Sequence, residues 1–251
     1  MGDFMRKITY LTIDDSPTKD MREKVDYLFS KDIPAVWFCT GKAMEKYPEE
    51  VVYAIKKGFV IGNHSYSHPH FSGIDLAECK NEIKLTDEII EQAYKRSGIA
   101  RPVKVFRFPY GDKGGLKGDD VTAQYEGIGK ERKEALQKFL STLGYRKVFF
   151  PGITYNYYKA YKLDEDIDWY WTYDIMDWEL YREEREFGFD SIEKIFDKME
   201  ENDPENWKGL NCFLSEDIIL THDQTATTKE FKQIIDRLIS KNIEFRLPQF
   251  K

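Results

Sequence analysis

The residues best suited to chemistry lie early in the chain, in two groups. Asp14-Asp15 ends the apolar run Tyr10-Leu11-Thr12-Ile13, and His64 and His68 stand four apart in Asn63-His64-Ser65-Tyr66-Ser67-His68-Pro69. Adjacent carboxylates disfavour each other's ionisation, so a fold that keeps a pair at a strand end has something nearby that uses the charge. One carboxylate and two imidazoles make a three-ligand metal set with open positions, the catalytic rather than the structural pattern. Asp15, His64 and His68 are the expected ligands, for a divalent metal that is Zn²⁺ first, with Co²⁺, Ni²⁺ or Fe²⁺ as alternatives. A polar loop with surface histidines is the plainer reading; the paired aspartates weigh against it. His70 is expected to point away from the site.

Asp14, the carboxylate the metal does not need, can take a proton from an attacking water. Phe106-Arg107-Phe108-Pro109-Tyr110-Gly111 sets one cation among apolar residues. A buried arginine needs a carboxylate partner, and Asp14 is the candidate, whether or not the pair is also structural. Pro109 and Gly111 would bend the chain so that the Tyr110 N–H faces the site as an oxyanion donor. Leu220-Thr221-His222 puts the fourth histidine after an apolar run. A lone histidine there is more often structural, but with a base and a metal argued, the missing role is a general acid, and imidazole suits it near neutral pH. Tyr173-Asp174-Ile175-Met176-Asp177-Trp178 adds two carboxylates, either of which could orient His222 and raise its pKa. Trp178 either lines the pocket or packs in the core.

These groups must be placed by strands and helices that alternate along nearly the whole chain. Strand-like segments cover residues 8–13, 35–38, 59–61, 103–108, 170–174, 217–221 and 244–247, and helical spacing covers 21–30, 43–57, 75–96, 131–143, 191–199 and 227–240. Repeated strand–helix units imply parallel strands with outer helices. Asp14-Asp15, His64, Arg107, Asp174 and His222 each fall at or just past the C-terminal end of a strand-like segment, the active-site rim of a barrel. Two long connections, 111–130 and 149–169, interrupt the alternation. The second carries Tyr155, Tyr157, Tyr158 and Tyr161. Loops of this length are usually functional or mobile; a lid or sugar-stacking wall and a surface insertion or dimer contact are equally compatible with them.

The 251 residues can bury one large core. A net charge of -7 argues against a nucleic-acid partner, which needs a clustered positive surface. Three scattered cysteines suggest buried thiols in a reducing compartment rather than a disulfide frame. No apolar run is long enough to span a bilayer, so no membrane partner is expected. The chain as given reads as cytoplasmic, unless an export signal has been removed.

Five short motifs in order resemble those of the NodB-homology polysaccharide deacetylases, carbohydrate esterase family 4: Thr12-Ile13-Asp14-Asp15-Ser16-Pro17, His64-Ser65-Tyr66-Ser67-His68, Arg107-Phe108-Pro109-Tyr110, Asp174-Ile175-Met176-Asp177-Trp178 and Leu220-Thr221-His222. The resemblance implies an α/β fold, a distorted NodB-like (β/α)₇ barrel here with two long loop insertions, in one domain over residues 1–251. It implies Asp14 as base, Asp15, His64 and His68 as metal ligands, His222 as acid, Arg107 as the holder of Asp14, and Asp177 rather than Asp174 as the residue tuning His222. Leu220 and Trp178 would shape the pocket for an acetyl methyl. Two positions depart from the family pattern. Ile13 replaces an aromatic residue, and Ser16 replaces a glycine beside a metal ligand, where glycine can permit close approach or positive φ. Ser16 would narrow the mouth or touch substrate.

The activity these features imply is metal-dependent hydrolysis of a non-peptide C–N bond, removing acetate from an N-acetylated sugar of an oligo- or polysaccharide such as a chitooligosaccharide or peptidoglycan. A small cyclic amide or imide, an O-acetyl ester, or sugar binding without turnover are the alternatives. A homo-oligomer stays open.

Overall fold

The computed structural model describes residues 6–115 and 127–250. Its centre is β1 (Lys7–Ser16), which is buried along almost its whole length. An apolar run with no polar face belongs in the middle of a parallel sheet covered on both sides. β2 (Ala35–Cys39), β3 (Val60–Asn63), β4 (Tyr173–Asp174) and β5 (Asp217–His222) complete the order β3-β2-β1-β5-β4, and β6 (Ile243–Phe245) pairs with the start of β1. Every pairing is parallel, so all strand C-termini emerge at one end.

Seven barrel strands were expected; six are formed among the described residues, and their ladder does not close into a ring. The difference lies at 103–108. Alternating apolar residues there signalled a strand, but only an isolated bridge joins Phe106 to Asn63. Its backbone groups are shared between two neighbours instead. Arg107 N donates to the Asn63 carbonyl at 3.0 Å, and the Phe106 carbonyl accepts from Trp169 N at 2.9 Å. With Asn63 N also donating to the Val105 carbonyl at 2.9 Å, the segment links β3 to the chain entering β4 through two backbone bonds on one side and one on the other.

The helices are α1 (Met21–Ser30), α2 (Gly41–Lys46), α3 (Pro48–Lys56), α4 (Leu76–Ser97), α5 (Gly127–Thr142), α6 (Asn156–Ala160), α7 (Ile192–Glu200) and α8 (Thr228–Ser240). The single helix expected over 43–57 is two, because Pro48 has no N–H to continue the first and disfavours helical geometry at Tyr47. α4 has a full capping box: the Asp75 side chain accepts from Ala77 N and Glu78 N, and Glu78 reaches back to Asp75 N. Gly98 ends it at φ 74°, a left-handed cap glycine takes without steric cost.

Alternation along β1 and β5 sends residues to opposite faces. Leu11, Ile13 and Ile219 join the large core beneath α1, α3 and α8. Tyr10 and Ile218 face the other way and are covered by the second long connection through Ile153, Tyr155, Tyr157, Tyr158 and Leu163. These tyrosines are therefore core residues. Neither a sugar-stacking wall nor a bare surface insertion describes them; the tyrosine-rich pattern marked an inner face that needed filling. Trp169, 2% exposed, fills the same side of β2 and β3 with Phe38 and Val60. Of the first connection, 116–126 lie outside the described residues, and the expectation of a lid there lies with them.

Candidate active site

Parallel register fixes the centre of the site. Asp14 and His222 are paired positions on β1 and β5, so both side chains start from the same level of the sheet edge. Asp14 is 3% exposed. Arg107 Nη1 donates to its Oδ1 at 2.8 Å and to Thr12 Oγ1 at 2.7 Å, while Arg107 Nε donates to the Trp169 carbonyl at 3.0 Å. Burial pushes the Asp14 carboxyl above the ordinary carboxylate range, against the opposing charges of Arg107 and His222. A carboxylate raised in this way is a stronger base than one in water.

Asp15, at φ 62°, places its carboxylate against the histidine loop. His68 Nε2 lies 3.1 Å and His64 Nε2 3.7 Å from Asp15 Oδ1, and one ligating atom from each residue falls within 4.8 Å of the others. His64 Nδ1 is 2.9 Å from the Arg107 carbonyl. That oxygen can only accept, so Nδ1 carries the proton and Nε2 presents a lone pair. Burial, with His68 nearby, holds the His64 pKa down to about 3, so the ring is neutral. Its Nε2 lone pair then faces carboxylate oxygens of both Asp14, at 3.5 Å, and Asp15. Acceptor against acceptor is unfavourable without a cation between them, so this donor set fits a divalent metal held by Asp15, His64 and His68.

The histidine loop is braced from below. Asn63 Oδ1 accepts from Ser65 N at 2.9 Å, while its Nδ2 donates to the Ile83 carbonyl and Tyr145 Oη. Glu82 of α4 accepts from Tyr66 N, Ser67 N and Ser67 Oγ. Ser65 and His68 both take left-handed backbone angles, so the spacing of four closes a tight loop rather than a helical turn. His70 is exposed, as expected, and stacks on the Tyr110 ring at 3.8 Å.

On the other side of Asp14, His222 Nδ1 lies 2.9 Å from Asp177 Oδ1, and Asp177 Oδ2 accepts from His222 N and Thr221 Oγ1. Burial alone would lower the His222 pKa; the Asp177 charge and hydrogen bond, with Asp15 and Asp174, outweigh it and push it up to about 10. Asp177 itself is raised by burial and lowered more strongly by His222 and its other donors, so it stays ionised. The two candidate partners of His222 are thus separated. Asp177 holds the imidazole, while Asp174 accepts from Met176 N at 2.7 Å and from Trp178 Nε1 at 3.3 Å. Trp178 is partly exposed, and Leu220 is 2% exposed in β5.

Pro109–Gly111 forms the expected bend, with Tyr110 at φ 58° and Gly111 at φ 68°. A Cβ on Gly111 would lie 2.6 Å from Tyr170 Cε2, so both conformation and space demand glycine there. Ser16 departs from expectation. It is 0% exposed, its Oγ is buried without a hydrogen-bond partner, and the left-handed backbone angle belongs to Asp15 instead. Its side chain packs inward. Sequence reasoning gave no role to Thr12, Asn63, Lys24 or Asp223. The visible signal for Lys24 was a cation on the apolar face that Met21, Val25 and Leu28 make on α1.

A parallel α/β sheet that gathers carboxylates, imidazoles and a buried arginine at its C-terminal edge is the architecture of the NodB-type deacetylases. The polysaccharide deacetylase family model matches residues 2–150, and the chain belongs to that family. A peptidoglycan-N-acetylglucosamine deacetylase from Bacillus cereus is 35% identical over 112 residues, which are 44% of this chain and 39% of that protein. The peptidoglycan-N-acetylmuramic acid deacetylase PdaC from Bacillus subtilis is 36% identical over 107 residues, 42% of this chain and 22% of its own length. The matched segment is thus well under half of either relative. In fold, the chain resembles the solved peptidoglycan deacetylase PdaC (TM-score 0.58, 21% identity, 96% of this chain and 87% of that one) and a CE4 family pseudoenzyme from Bacillus anthracis (TM-score 0.61, 16% identity, 96% and 63%). No helix among the described residues is long and apolar enough to cross a membrane.

Proposed function

We propose that this protein, read as one domain over residues 1–251, is a metal-dependent deacetylase. It would remove acetate from the amide nitrogen of an N-acetylated sugar in an oligo- or polysaccharide of the peptidoglycan or chitooligosaccharide kind. The observation that carries the reading is the pairing of Asp14 and His222 across β1 and β5, beside a neutral His64 whose Nε2 faces two carboxylates. The names of relatives favour the sugar: peptidoglycan deacetylases, and a chitooligosaccharide deacetylase from Rhizobium leguminosarum 32% identical over 85 residues.

Asp15, His64 and His68 would hold the metal, zinc first. When bound it supplies Lewis-acid polarisation of the acetyl carbonyl and makes a water acidic enough to be used as a nucleophile at neutral pH. Asp14 accepts the proton of the attacking water at Oδ2, since Oδ1 is held by Arg107. Arg107 keeps that carboxylate oriented and compensates its charge. The bend at Pro109–Gly111 offers the Tyr110 N–H to the oxygen that gains charge as the carbonyl becomes tetrahedral. His222, protonated at both ring nitrogens and anchored through Nδ1 to Asp177, gives its Nε2 proton to the amine as the C–N bond breaks. Trp178 and Leu220 would shape the space for the acetyl methyl. The expected cytoplasmic location belongs to the same reading and is checked by cell fractionation.

The test is acetate release from chitooligosaccharides, peptidoglycan fragments and acetylxylan by zinc-loaded protein, with chelated protein and Asp14→Asn as controls. Release from an N-acetylated sugar that both controls abolish is expected. Release from acetylxylan alone would make the protein an O-acetyl esterase. No release from any sugar with zinc stoichiometrically bound would refute the sugar reading and leave a small amide or imide, or binding without turnover.

A further inference from the structure

Asp223 follows His222 and takes no part in the chemistry above, yet it is 1% exposed and carries one of the densest sets of hydrogen bonds near the site. Its backbone N–H donates to the Asp14 carbonyl at 2.8 Å, one rung beyond the last paired position of β1 and β5. Its Oδ1 accepts from Lys24 Nζ at 2.7 Å and Thr18 Oγ1 at 2.8 Å, and its Oδ2 accepts from Thr18 N at 2.8 Å. Lys24, 0% exposed, also donates to the Gln224 carbonyl at 2.8 Å and to Thr227 Oγ1 at 3.2 Å. One buried carboxylate therefore laces the chain leaving β1 to the chain leaving β5.

The placement matters because pairing with β5 ends at Asp14↔His222, while on the β2 side the register shifts between Ile13↔Trp37 and Ser16↔Cys39, and Asp15 makes a left-handed turn inside that irregularity. Two anchors bracket that turn. The Ser16 carbonyl accepts from Thr40 N at 2.8 Å on the β2 side, and Thr18 is held by Asp223 on the β5 side. A fully buried ion pair gives little net stability, since desolvation of two charges offsets their attraction. Fixing a geometry is the role such a pair serves better. We infer that Asp223, with Lys24, is a positioning pair that fixes the 14–18 turn, and hence Asp14 and Asp15, relative to His222.

The kinetic part of this inference rests on the deacetylase reading; the geometric part does not. Two variants test it: Lys24→Met/Asp223→Ala, which removes the clamp without stranding a buried charge, and Asp223→Asn, which keeps the shape and one acceptor for Thr18. Amide hydrogen exchange reads the clamp without any substrate. Protection at Thr18 and Asp223 should fall at least tenfold in the double variant and less in Asp223→Asn, with the β1 and β2 interiors unchanged. With substrate, kcat should fall roughly tenfold to hundredfold in the double variant with KM within about threefold, and Asp223→Asn should recover part of the loss. Unchanged protection over 14–18 in a folded double variant overturns the inference even if the parent never releases acetate. An unchanged kcat in an active protein overturns it as well. If the double variant fails to fold, Asp223→Asn decides alone: exchange and kcat both equal to the parent's would sink the proposal.

Discussion

Asp177→Asn isolates the pairing that sets the acid. His222 is pushed up to about 10, and the charge of Asp177 is the largest influence raising it, against burial, which lowers it. Asparagine nearly preserves the shape and can still accept from His222 Nδ1 through its carbonyl oxygen. Its amide nitrogen then faces the Thr221 hydroxyl and the His222 N–H, which both donate to Asp177 Oδ2 in the parent. The hydroxyl can rotate to accept; the backbone N–H cannot, so one bond is lost. With the charge gone, burial dominates and the His222 pKa should fall to its ordinary value near 6.5 or below. A drop of about three units or more removes on the order of 4 kcal/mol of preference for the imidazolium form. A general acid must be protonated, so its activity is lost as pH rises through its pKa. The alkaline limb of kcat/KM should therefore move to lower pH by about three units, and at pH 8 only about 3% of His222 would remain protonated, a roughly 30-fold loss. The assay is acetate release from pH 5 to 11, with ring-carbon NMR titration of His222 as a check that needs no turnover. A loss uniform across pH, with the alkaline limb unmoved, would refute the assignment of His222 as an acid tuned by Asp177.

The same pair gives a stability prediction. A folded-state pKa above the unfolded one contributes stability fully present below about 6.5 and lost as pH rises through about 10, so the melting temperature should decline across that window, and less steeply in His222→Ala. Asp15→Ala and His64→Ala should each lose stoichiometric zinc in equilibrium dialysis; retention at the parent's affinity by either would remove that residue from the ligand set. Lys7→Met leaves the 0% exposed Asp217 without its cation and should cost roughly 3–5 kcal/mol in urea unfolding, far more than Lys7→Met paired with Asp217→Asn. Asp75→Ala removes the side chain that caps α4 and should cost about 1 kcal/mol while leaving acetate release unchanged, because the cap is exposed and remote from the catalytic groups.

What the sequence made legible follows from the range of the forces involved. The presence of β1, β2 and α4 comes from local signals: an apolar run, a shorter apolar run, and helical spacing with Gly98 as stop; β1 runs past the expected 8–13 to Ser16 because its end is set by pairing with β2. The candidate site residues stand out because chemistry restricts their types, and parallel strands carry them to one end. The chain at 103–108 was misread because its alternation reports burial, whereas strand status depends on what lies alongside; there residue 63 makes a single bridge of two bonds and residue 169 one bond, short of a ladder. The tyrosines of the second connection were misjudged for a related reason. An aromatic run in a loop looks like a surface for ligands until the opposite face of β1 and β5 is known to need covering. At Ser16, the positive φ that glycine would permit lies one residue earlier, at Asp15, which no residue-type pattern reveals.

The buried charges divide along the same line. Those the sequence singled out, Asp14, Arg107, Asp177 and His222, form two bonded pairs at the C-terminal edge of the sheet, where the proposed reaction would take place. Those it passed over, Lys24 with Asp223 and Lys7 with Asp217, are as deeply buried but face no open space. Burial of charge alone therefore does not mark catalysis in this fold. The Lys24–Asp223 pair and the candidate metal ligands differ in the condition of their remaining donor and acceptor atoms. Lys24 donates to Asp223, Gln224 and Thr227, and Asp223 accepts from Thr18 as well, so that pair is satisfied within the chain. Among the described residues, His64 Nε2 instead faces carboxylate oxygens of Asp14 and Asp15. A set of ligand atoms left mutually repulsive by an otherwise well-bonded scaffold is the strongest physical argument that something positively charged completes it.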